Sequence, residues 1–407
     1  MKIVLVYLNR DTNISMGAGY IGTIIFNAGH NLTFIDTVYE TVDSTVSKVL
    51  NGNFDIVLLS ATSLFYKEAI QIAIAIKVKS NVKILLGGIH ATIAKGTILK
   101  DCHHIDYLCV GEGEDFILEF LQKYGTNSLY GISNLGYRDK DGTIIINPLR
   151  NCTNLKTLPI FKYDLFQPQS IVINPPYAPL PGFCYVFSTR GCPYSCSYCC
   201  NSYFLSLYKK DFLRKRNIDD VILELKYLKT NFNAQFFYFG DEMILFDKSY
   251  VSELFNRIKN EIGNHYGCMT RVENITPEVI KLFKDTGCGY VGIGIECGDE
   301  EFRKKFLNRH MSNKQIIEAF KSLRTIDGII LTSFNMKGYP VSYDNELTIK
   351  TNELNNIIKP NIVQTTVFFP FLGTKLHAYC IENNLIDPNK LNSVTNVFST
   401  SVLKEIS

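Results

Sequence analysis

Three cysteines, Cys192, Cys196 and Cys199, stand in one short run of the chain with the spacing CxxxCxxC. Three thiolates on one loop can hold three irons of a [4Fe–4S] cluster, whereas electron-transfer clusters take four cysteines. The fourth iron of such a cluster would have no protein ligand and would be open for chemistry. The spacing therefore predicts an iron–sulfur site at which a small molecule can bind to metal.

A zinc site is the alternative interpretation of closely spaced cysteines. A structural zinc ion needs four nitrogen or sulfur ligands, usually in two spaced pairs, and the chain has no second pair. Eight other cysteines occur singly in apolar segments, where a free cysteine is most often a small buried hydrophobic residue. Cys200 directly follows the run, and we expect its neighbouring position to point it away from the cluster.

Length and composition are those of an intracellular enzyme. A chain of 407 residues predicts two or three domains. Twelve cysteines in a chain of this length are no disulfide framework, and the first residues form a strand-like run rather than a signal peptide. No apolar stretch is long enough for a membrane span, and a formal charge of +3 is too small to indicate nucleic acid. We expect a cytoplasmic protein that neither spans a membrane nor binds nucleic acid.

Strands and helices alternate through the first 125 residues, which favours a parallel sheet. Strands are predicted at residues 2–8, 31–38, 55–61, 83–87 and 105–110, and helices at 16–28, 44–50, 67–79, 92–99 and 114–124. Ligands of such doubly wound sheets lie at the carboxyl ends of the strands. Gly87 and Gly88 follow the fourth strand, Gly111 and Gly113 follow the fifth, and glycines there let the backbone approach a flat ligand. A nucleotide site, a flavodoxin-like module and a structural lid all fit this composition.

The second half of the chain predicts six further strand–helix units. Its strands are expected at residues 184–188, 235–239, 266–271, 290–295, 330–336 and 363–368, with helices such as 221–230, 248–260, 277–286 and 314–323 between them. Barrels built from such units keep their active site at the carboxyl ends of the strands. Charged residues follow the second, third and fourth of these strands, namely Asp241, Glu242, Arg271 and Glu296.

The cysteine spacing, with aromatic Tyr198 before the last cysteine, resembles that of the radical S-adenosylmethionine (SAM) enzymes. The resemblance implies a partial (β/α)6 barrel whose cluster cleaves SAM reductively to a 5′-deoxyadenosyl radical. It also implies Glu296 near the ammonium of SAM and Arg271 near the carboxylate, as charge-assisted hydrogen bonds; a surface ion pair is the alternative for each. Asp241 and Glu242 would bind the ribose or methionyl group or orient the substrate, and Tyr198 would pack beside the adenine.

The first 125 residues resemble the cobalamin-binding domain that precedes many radical SAM barrels. The matching elements are residues 17–22 with 28–30 and Asp36, residues 87–92 and residues 110–114. The resemblance implies that Gly87, Gly88, Gly111 and Gly113 approach cobalamin. No Asp-x-His-x-x-G motif occurs, so no lower-axial histidine is expected. A lone His90 is expected to have a structural role in its loop, with cobalt ligation as the alternative.

The expected organisation is therefore a Rossmann-like cobalamin-binding domain at residues 1–130, a hairpin and linker at 131–180, a radical SAM barrel at 181–375 and a short tail at 376–407. The Asp141-Gly142 pair suits the tight turn of the hairpin, and one helical stretch is expected near 376–383 of the tail. The fold class is α/β in both domains.

The activity implied by the resemblance is methylation of an unactivated carbon of a small molecule or peptide. It would use a [4Fe–4S] cluster, SAM and cobalamin, with an external one-electron reductant such as flavodoxin or ferredoxin. A cobalamin-assisted radical cyclase or rearrangement enzyme is the alternative among enzymes. A corrinoid or iron–sulfur carrier without turnover is the alternative from another class.

Overall fold

A computed structural model describes residues 1–10, 13–173, 181–263, 265–393 and 399–404. The chain divides into two compact units, Met1–Ile171 and Val172–Ser407. Within the part of the chain that is described, no helix combines the length and apolar character that crossing a membrane requires.

Seven strands and seven α-helices lie in the described residues of the first unit. The strands are β1 (Lys2–Tyr7), β2 (Asn31–Asp36), β3 (Ile56–Ser60), β4 (Lys83–Gly87), β5 (Tyr107–Cys109), β6 (Leu135–Arg138) and β7 (Ile144–Ile146). The helices are α1 (Met16–Asn27), α2 (Val42–Asn51), α3 (Tyr66–Lys79), α4 (Ile89–Ala94), α5 (Gly96–Asp101), α6 (Glu114–Lys123) and α7 (Pro168–Ile171).

These strands form one sheet in the order β2-β1-β3-β4-β5-β6-β7. The first five strands are parallel, as the alternation predicts. Both faces of the sheet are covered, because Val4 and Val6 of β1 lie in one apolar core and Ile3 and Leu5 lie in the other. The hairpin expected between the domains instead extends this sheet, because β6 pairs antiparallel with β5 and β7 with β6. The short helix expected at 92–99 is two helices, α4 and α5.

The stretch predicted as a linker packs onto helix α1 of the same unit. Phe161 is 2% exposed, and its ring meets that of Tyr20 edge-on with centroids 5.1 Å apart. A Cβ added at Gly19 would overlap the Phe161 ring, and one added at Gly22 would lie 2.7 Å from the Leu165 side chain. Two glycines of the run 17–22 therefore make room for the linker, which is a packing reason for their presence.

In the second unit, the part that the structure describes has eight strands. They are β8 (Phe183–Val186), β9 (Thr189–Arg190), β10 (Arg214–Lys215), β11 (Phe236–Phe239), β12 (His265–Thr270), β13 (Cys288–Glu296), β14 (Ile330–Lys337) and β15 (Ile362–Val367). Its α-helices are α8 (Asn201–Tyr208), α9 (Ile218–Phe232), α10 (Lys248–Arg257), α11 (Pro277–Thr286), α12 (Glu300–Lys305), α13 (Asn313–Leu323), α14 (Asp344–Ile358), α15 (Lys375–Glu382) and α16 (Pro388–Ser393).

Six of these strands form a curled, wholly parallel sheet in the order β15-β14-β13-β12-β11-β8, so that each successive strand joins its predecessor. This is the open half-barrel that the sequence predicts. One face carries packed aromatic rings, with Tyr238 5.0 Å from Phe183 and 5.5 Å from Tyr290 between centroids. Gly267 leaves room among these rings, because a Cβ there would lie 2.8 Å from Tyr290.

Within its described residues, the last part of the chain contains more secondary structure than the short tail expected from the sequence. The expected helical stretch is α15, and a second helix, α16, follows it after a short connection that contains Ile386. Ile386 forms a β-bridge with Leu403. Leu403 is buried in the same apolar cluster as Cys380. These residues complete the core of the second unit.

The packing of the linker yields a stability prediction. Phe161→Ala removes a buried ring and leaves a cavity against Gly19, so the free energy of unfolding should fall by about 3–5 kcal/mol. Phe26→Ala, on helix α1 against which the linker packs, is the matched control, because Phe26 is 49% exposed. This substitution should lower the free energy of unfolding by no more than about 1 kcal/mol. Denaturant unfolding followed by far-ultraviolet circular dichroism measures both, and equal losses would contradict this packing account.

Candidate active site

The cysteine loop starts from a backbone fixed by Asp241, which follows β11. Its buried carboxylate accepts hydrogen bonds from the backbone N–H groups of Ser188, at 3.1 Å, and Thr189, and from both hydroxyls. Burial raises the pKa of Asp241 to about 6, against the effect of these hydrogen bonds. Both carboxylate oxygens are thereby engaged within the protein. We propose a positioning role for Asp241 in place of the expected contact with SAM.

Glu242, next in the chain, is exposed and accepts a hydrogen bond from the backbone N–H of Gly191 at 3.2 Å. Gly191 has φ +101°, a conformation that suits glycine, and it directly precedes Cys192. Asp241 and Glu242 therefore secure two successive points of the backbone leading into the cysteine loop. A contact of Glu242 with the ribose or methionyl group of SAM stays a prediction.

The three cysteines of the loop lie close enough to influence one another. Cys192 and Cys196 are 9% and 7% exposed, and Cys199 is partly buried. Burial raises the pKa of the Cys192 thiol to about 12, and its neighbours Cys199 and Cys196 add to the effect. A hydrogen bond between Cys199 and Cys200, together with burial, raises the pKa of Cys199. Cys200 thus contacts Cys199, and its exclusion from the cluster ligands stays a prediction.

Among the described residues, no three His, Cys, Asp or Glu side chains converge as ligands of a single metal ion do. A [4Fe–4S] cube does not require such convergence, since each cysteine binds a different iron. Cys192, Cys196 and Cys199 as ligands of the cluster remain our proposal.

Two guanidinium groups approach the sulfur of Cys196. Arg271, at the end of β12, donates from Nη1 to Cys196 Sγ at 3.2 Å, and Arg309 lies 3.8 Å from the same sulfur. The Arg271 guanidinium also donates to Glu273 at 2.5 Å and lies 3.8 Å from the centre of the Tyr194 ring. Hydrogen bonds to ligand sulfurs are one of the means by which proteins set cluster potentials. Arg271 is thus placed at a proposed cluster ligand.

Glu296 lies at an irregular end of β13. The strand register shifts between Gly294 and Glu296, and Glu296 has φ +69°, which is unusual for a residue other than glycine. Tyr339 donates its hydroxyl to the Glu296 carbonyl at 3.1 Å and holds this backbone. Strained backbone of this kind clusters at functional sites. The geometry supports a functional role for Glu296.

The carboxylate of Glu296 is buried against Arg309. Glu296 Oε1 lies 3.7 Å from Arg309 Nη1, and a Cβ at Gly294 would lie 2.5 Å from the same oxygen. Burial raises the pKa of Glu296, although the Arg309 charge opposes this. Burial likewise raises the pKa of Tyr198, whose hydroxyl accepts a hydrogen bond from Arg309 at 3.2 Å. Arg309 therefore joins the cysteine loop to the end of β13.

The donor set suits the cofactors expected here. Three cysteine sulfurs suit iron, and a buried carboxylate suits the ammonium of SAM. The Nε atom of Arg309 is buried and has no hydrogen-bond partner among the described residues. A buried hydrogen-bond donor without a partner is unusual in native proteins. A bound anionic group would accept a hydrogen bond from this Nε atom.

The structure thus brings together Cys196, Tyr198, Arg271 and Glu296 from the predicted residues, while two contributors were missed. Arg309 follows α12 in a loop and Glu273 follows β12; neither stands in a motif. Only the fold places Arg309 beside a cysteine 113 residues earlier in the chain. Contact of Tyr198 with adenine stays a prediction, and its ring packs with the apolar cluster around Leu307 and Tyr339.

In the first unit the predicted glycines lie at the carboxyl ends of β4 and β5, but other protein atoms lie close to two of them. Gly88 has φ +98°, and a Cβ there would lie 2.5 Å from the carbonyl oxygen of Ala61. A Cβ at Gly113 would lie 2.9 Å from Ile21. The backbone of Ala61 thus requires glycine at position 88, whereas at Gly113 only the end of the flexible Ile21 side chain lies in the way. The approach of both glycines to cobalamin stays a prediction.

Gly87 and Gly111 differ from these two. A Cβ at Gly87 would meet only Cys109, at an ordinary 3.6 Å. Gly111 has φ +101° and donates its N–H to the Thr92 hydroxyl at 2.9 Å. At the end of β3, the buried Oγ1 of Thr62 has no partner among the described residues. An accessible backbone at Gly87 and an unpaired hydroxyl fit a flat ring with polar edges such as cobalamin.

His90 is engaged within its loop, as the structural interpretation predicts. Its Nδ1 atom shares a hydrogen bond with the Ser63 hydroxyl at 3.0 Å, and its ring stacks on Tyr66 with centroids 4.0 Å apart. Burial lowers the pKa of His90 to about 4, so the ring is neutral at physiological pH. These contacts fix one face and one nitrogen of the imidazole.

Comparison with known protein families gives two matches. Residues 186–349 match the radical SAM superfamily, and residues 4–121 match the B12-binding domain. The chain therefore carries a B12-binding domain followed by a radical SAM domain, and it is a radical SAM enzyme of the cobalamin-dependent class. Its cofactors are accordingly a [4Fe–4S] cluster, SAM and cobalamin.

Particular relatives share most of the chain. An uncharacterised methyltransferase of Pyrococcus horikoshii is 28% identical over 95% of this chain and 84% of its own length. The anaerobic magnesium-protoporphyrin IX monomethyl ester cyclase of Rubrivivax gelatinosus is 24% identical over 88% of this chain and 66% of its own. The structure of the radical SAM methyltransferase TsrM from Kitasatospora setae, solved with cobalamin and a [4Fe–4S] cluster, superposes with a TM-score of 0.72 at 15% identity. It covers 94% of this chain and 75% of its own, and it shows a shared fold.

The contact between Arg271 and Cys196 yields a prediction for the cluster. A positive hydrogen-bond donor on a ligand sulfur favours the reduced, more negative cluster, so Arg271→Met should lower the reduction potential. A charged hydrogen bond worth about 1.5 kcal/mol corresponds to a shift of roughly 60 mV. Redox titration followed by electron paramagnetic resonance measures the shift. Glu273→Gln keeps the donor and serves as the control; an unchanged potential in Arg271→Met would contradict the assignment.

The two glycines after β4 separate a ligand site from a structural requirement. Gly88→Ala should destabilise the unit by about 1–3 kcal/mol, because both its φ and its contact with Ala61 oppose a side chain. Gly87→Leu should leave the free energy of unfolding nearly unchanged but weaken cobalamin binding about tenfold or more. Equilibrium binding of hydroxocobalamin and denaturant unfolding measure the two effects. Wild-type cobalamin affinity in Gly87→Leu would place the ring elsewhere.

Proposed function

We propose that this enzyme is a cobalamin-dependent methyltransferase that acts on an unactivated carbon of a small molecule or peptide. The observation that supports it most is the cysteine loop, with Arg271 and Arg309 on Cys196, in a chain that also carries a B12-binding domain. The relative from Pyrococcus horikoshii is called a methyltransferase, and so is TsrM. The substrate itself is left open by these relatives.

The residues of the second unit have separable roles in this proposal. Cys192, Cys196 and Cys199 hold the cluster, and Asp241 with Glu242 fixes the loop that carries them. Glu296 faces the ammonium of SAM, where a strained backbone and the Tyr339 hydroxyl hold it in place. Arg271 and Arg309 keep positive charge beside Cys196. Burial of these groups excludes water and strengthens each electrostatic contact.

The cofactors supply the difficult chemistry, and the protein supplies orientation and shielding. When bound, a reduced cluster would supply the electron that splits SAM into methionine and a radical able to remove hydrogen from carbon, and cobalamin would carry the methyl group. In the first unit, Gly87 and the Thr62 hydroxyl would receive the corrin ring. His90 is held by Ser63 and Tyr66 and is not proposed as a cobalt ligand.

A radical cyclase is the second candidate, because the relative from Rubrivivax gelatinosus is named as one. The two functions consume SAM differently. Methyl transfer leaves S-adenosylhomocysteine, whereas radical formation leaves 5′-deoxyadenosine and methionine. A methyltransferase of the proposed kind forms both products, and a cyclase forms only the second pair.

The cell compartment and the reductant complete the proposal. The twelve cysteines form no disulfide bond in the part of the chain that the structure describes, which suits the reducing cytoplasm. The cluster must receive single electrons from outside the chain, and we propose a flavodoxin or ferredoxin as the donor.

The proposed ligands are tested by reconstitution under anaerobic conditions. The wild-type protein should bind about four iron and four sulfide per chain, and alanine at Cys192, Cys196 or Cys199 should abolish both the cluster and cleavage of SAM. Cys200→Ala is the matched control, since it removes the neighbouring thiol and should keep the cluster. Retention of the full chromophore in the triple variant, or stoichiometric zinc in its place, would refute the ligand assignment.

Product analysis separates methyl transfer from cyclisation. With cobalamin and reductant present, the protein in a soluble cell extract should release both S-adenosylhomocysteine and 5′-deoxyadenosine, as measured by liquid chromatography with mass spectrometry. Omission of cobalamin should suppress the first product. Release of 5′-deoxyadenosine alone, with cobalamin bound, would favour the cyclase.

A further inference from the structure

A short basic segment lies directly against the cysteine loop. Residues 209–216 supply five of the 42 basic residues of the chain and only one of its 39 acidic residues, so the formal charge of +3 would be slightly negative without them. The first part of the segment is the 3₁₀ turn Lys209–Phe212. Lys215 and Arg216 are paired with Asp247 and Glu224. Lys209 and Lys210 are exposed and have no ion-pair partner among the described residues.

Backbone packing fixes this segment to the loop. Gly191 approaches the backbone of Phe212 so closely that a Cβ at Gly191 would overlap the Phe212 carbonyl oxygen. Arg190 also pairs with Arg214 in the two-stranded ladder of β9 and β10. Cys192 follows Gly191 directly. Lys209 and Lys210 therefore lie in a turn whose last residue, Phe212, packs against the residue before Cys192.

Helix α8 links the same turn to the other end of the loop. Ser202, in its first turn, donates to the carbonyl of Cys199 from its N–H at 3.1 Å and from its hydroxyl at 2.7 Å. Cys199 is less buried than Cys192 or Cys196. A short hydrogen-bonded path thus connects α8 to the proposed ligand nearest to solvent.

The side chains of α8 give this region an aromatic character. None of its eight residues is buried, although five are large and apolar. The ring centroids of Phe204, Tyr208 and Phe212 lie 6.2–6.5 Å from one another, with near-parallel planes. Aromatic side chains are enriched at protein interaction surfaces. We define the α8 surface as Phe204, Tyr208, Lys209 and Lys210.

We propose that the α8 surface docks a small acidic one-electron carrier protein that reduces the cluster. The inference rests on the proposed function, since only a redox-active cluster needs such a partner. Charge complementarity selects the occupant: two lysines without acidic partners attract an acidic surface, and such attraction mainly accelerates association. Electron-transfer complexes are small and short-lived, which suits a surface of one helix and one turn.

The carrier donates one electron and is oxidised, and the cluster is reduced by one electron. No bond forms between the proteins. Docking at α8 brings the donor next to the 209–212 turn, which packs against Gly191, and to Ser202, which donates to the Cys199 carbonyl. Lys209 and Lys210 steer the partner and take no part in the chemistry of SAM.

The test compares two reductants in one variant. Flavodoxin, kept reduced by its reductase and NADPH, should drive 5′-deoxyadenosine formation about tenfold more slowly in Lys209→Glu/Lys210→Glu than in wild type. Dithionite, which needs no docking surface, should drive it equally in both. Raising the salt concentration should slow only the flavodoxin-driven reaction. Equal flavodoxin-driven rates in variant and wild type would overturn the proposal.

The matched control is Lys284→Glu/Lys321→Glu, which makes the same charge change at exposed lysines on α11 and α13. It should keep the flavodoxin-driven rate, and an equal loss there would show an effect of net charge alone and refute the site. Binding of oxidised flavodoxin, measured by isothermal titration calorimetry at low salt, needs no turnover. Absence of SAM cleavage with dithionite would refute the proposed function, while the loss or retention of binding in the α8 variant would still decide the docking surface.

Discussion

The guanidinium of Arg309 is the constraint on which the rest of the active site depends. It donates to the Tyr198 hydroxyl in the cysteine loop and to the Gly294 carbonyl in β13, and it faces the carboxylate of Glu296. A buried charge is tolerated only when it is paired and hydrogen-bonded. The side chain of Arg309 therefore connects the cysteine loop to the end of β13. Without Arg309, the buried carboxylate of Glu296 would lose its nearest cation. The electron-rich sulfur of Cys196 adds to the negative charge that this cation meets.

Glycine serves two different purposes in this protein, and the distinction matters for locating ligands. At Gly19, Gly88 and Gly191 a side chain would strike neighbouring protein atoms, so the fold itself demands glycine. At Gly87 the added Cβ would make an ordinary contact. At Gly87 the fold itself leaves room for a side chain, so a bound cofactor can be the reason for glycine there. Two glycines that are adjacent in the sequence thus fall into different classes once the backbone is known.

The parts of the structure that depend on local pattern were predictable from the sequence. Apolar runs such as residues 83–87 match strand β4, and α11 begins and ends where its proline and glycine indicate. The spacing of Cys192, Cys196 and Cys199 pointed to the loop, and the strand ends pointed to Arg271 and Glu296. Contacts between distant segments were not predictable. Nothing in the sequence around Arg309 signals its approach to Cys196, and nothing around Phe161 signals that its ring fills the space above Gly19. The hairpin at residues 135–146 was recognised, but its pairing with β5 was not, because a turn signal does not specify which strand lies alongside.

The central claim is that the cysteine loop holds a cluster with one open iron at which SAM binds beside Glu296. Electron–nuclear double resonance of the reduced cluster tests it most directly, with SAM labelled with nitrogen-15 in its amino group and oxygen-17 in its carboxylate. The account predicts hyperfine coupling of both labels to the cluster, because the carboxylate and the amino group, once it has lost the extra proton of the ammonium form, would both ligate the open iron. Protein that retains its full iron content and binds SAM but shows coupling to neither label would contradict it.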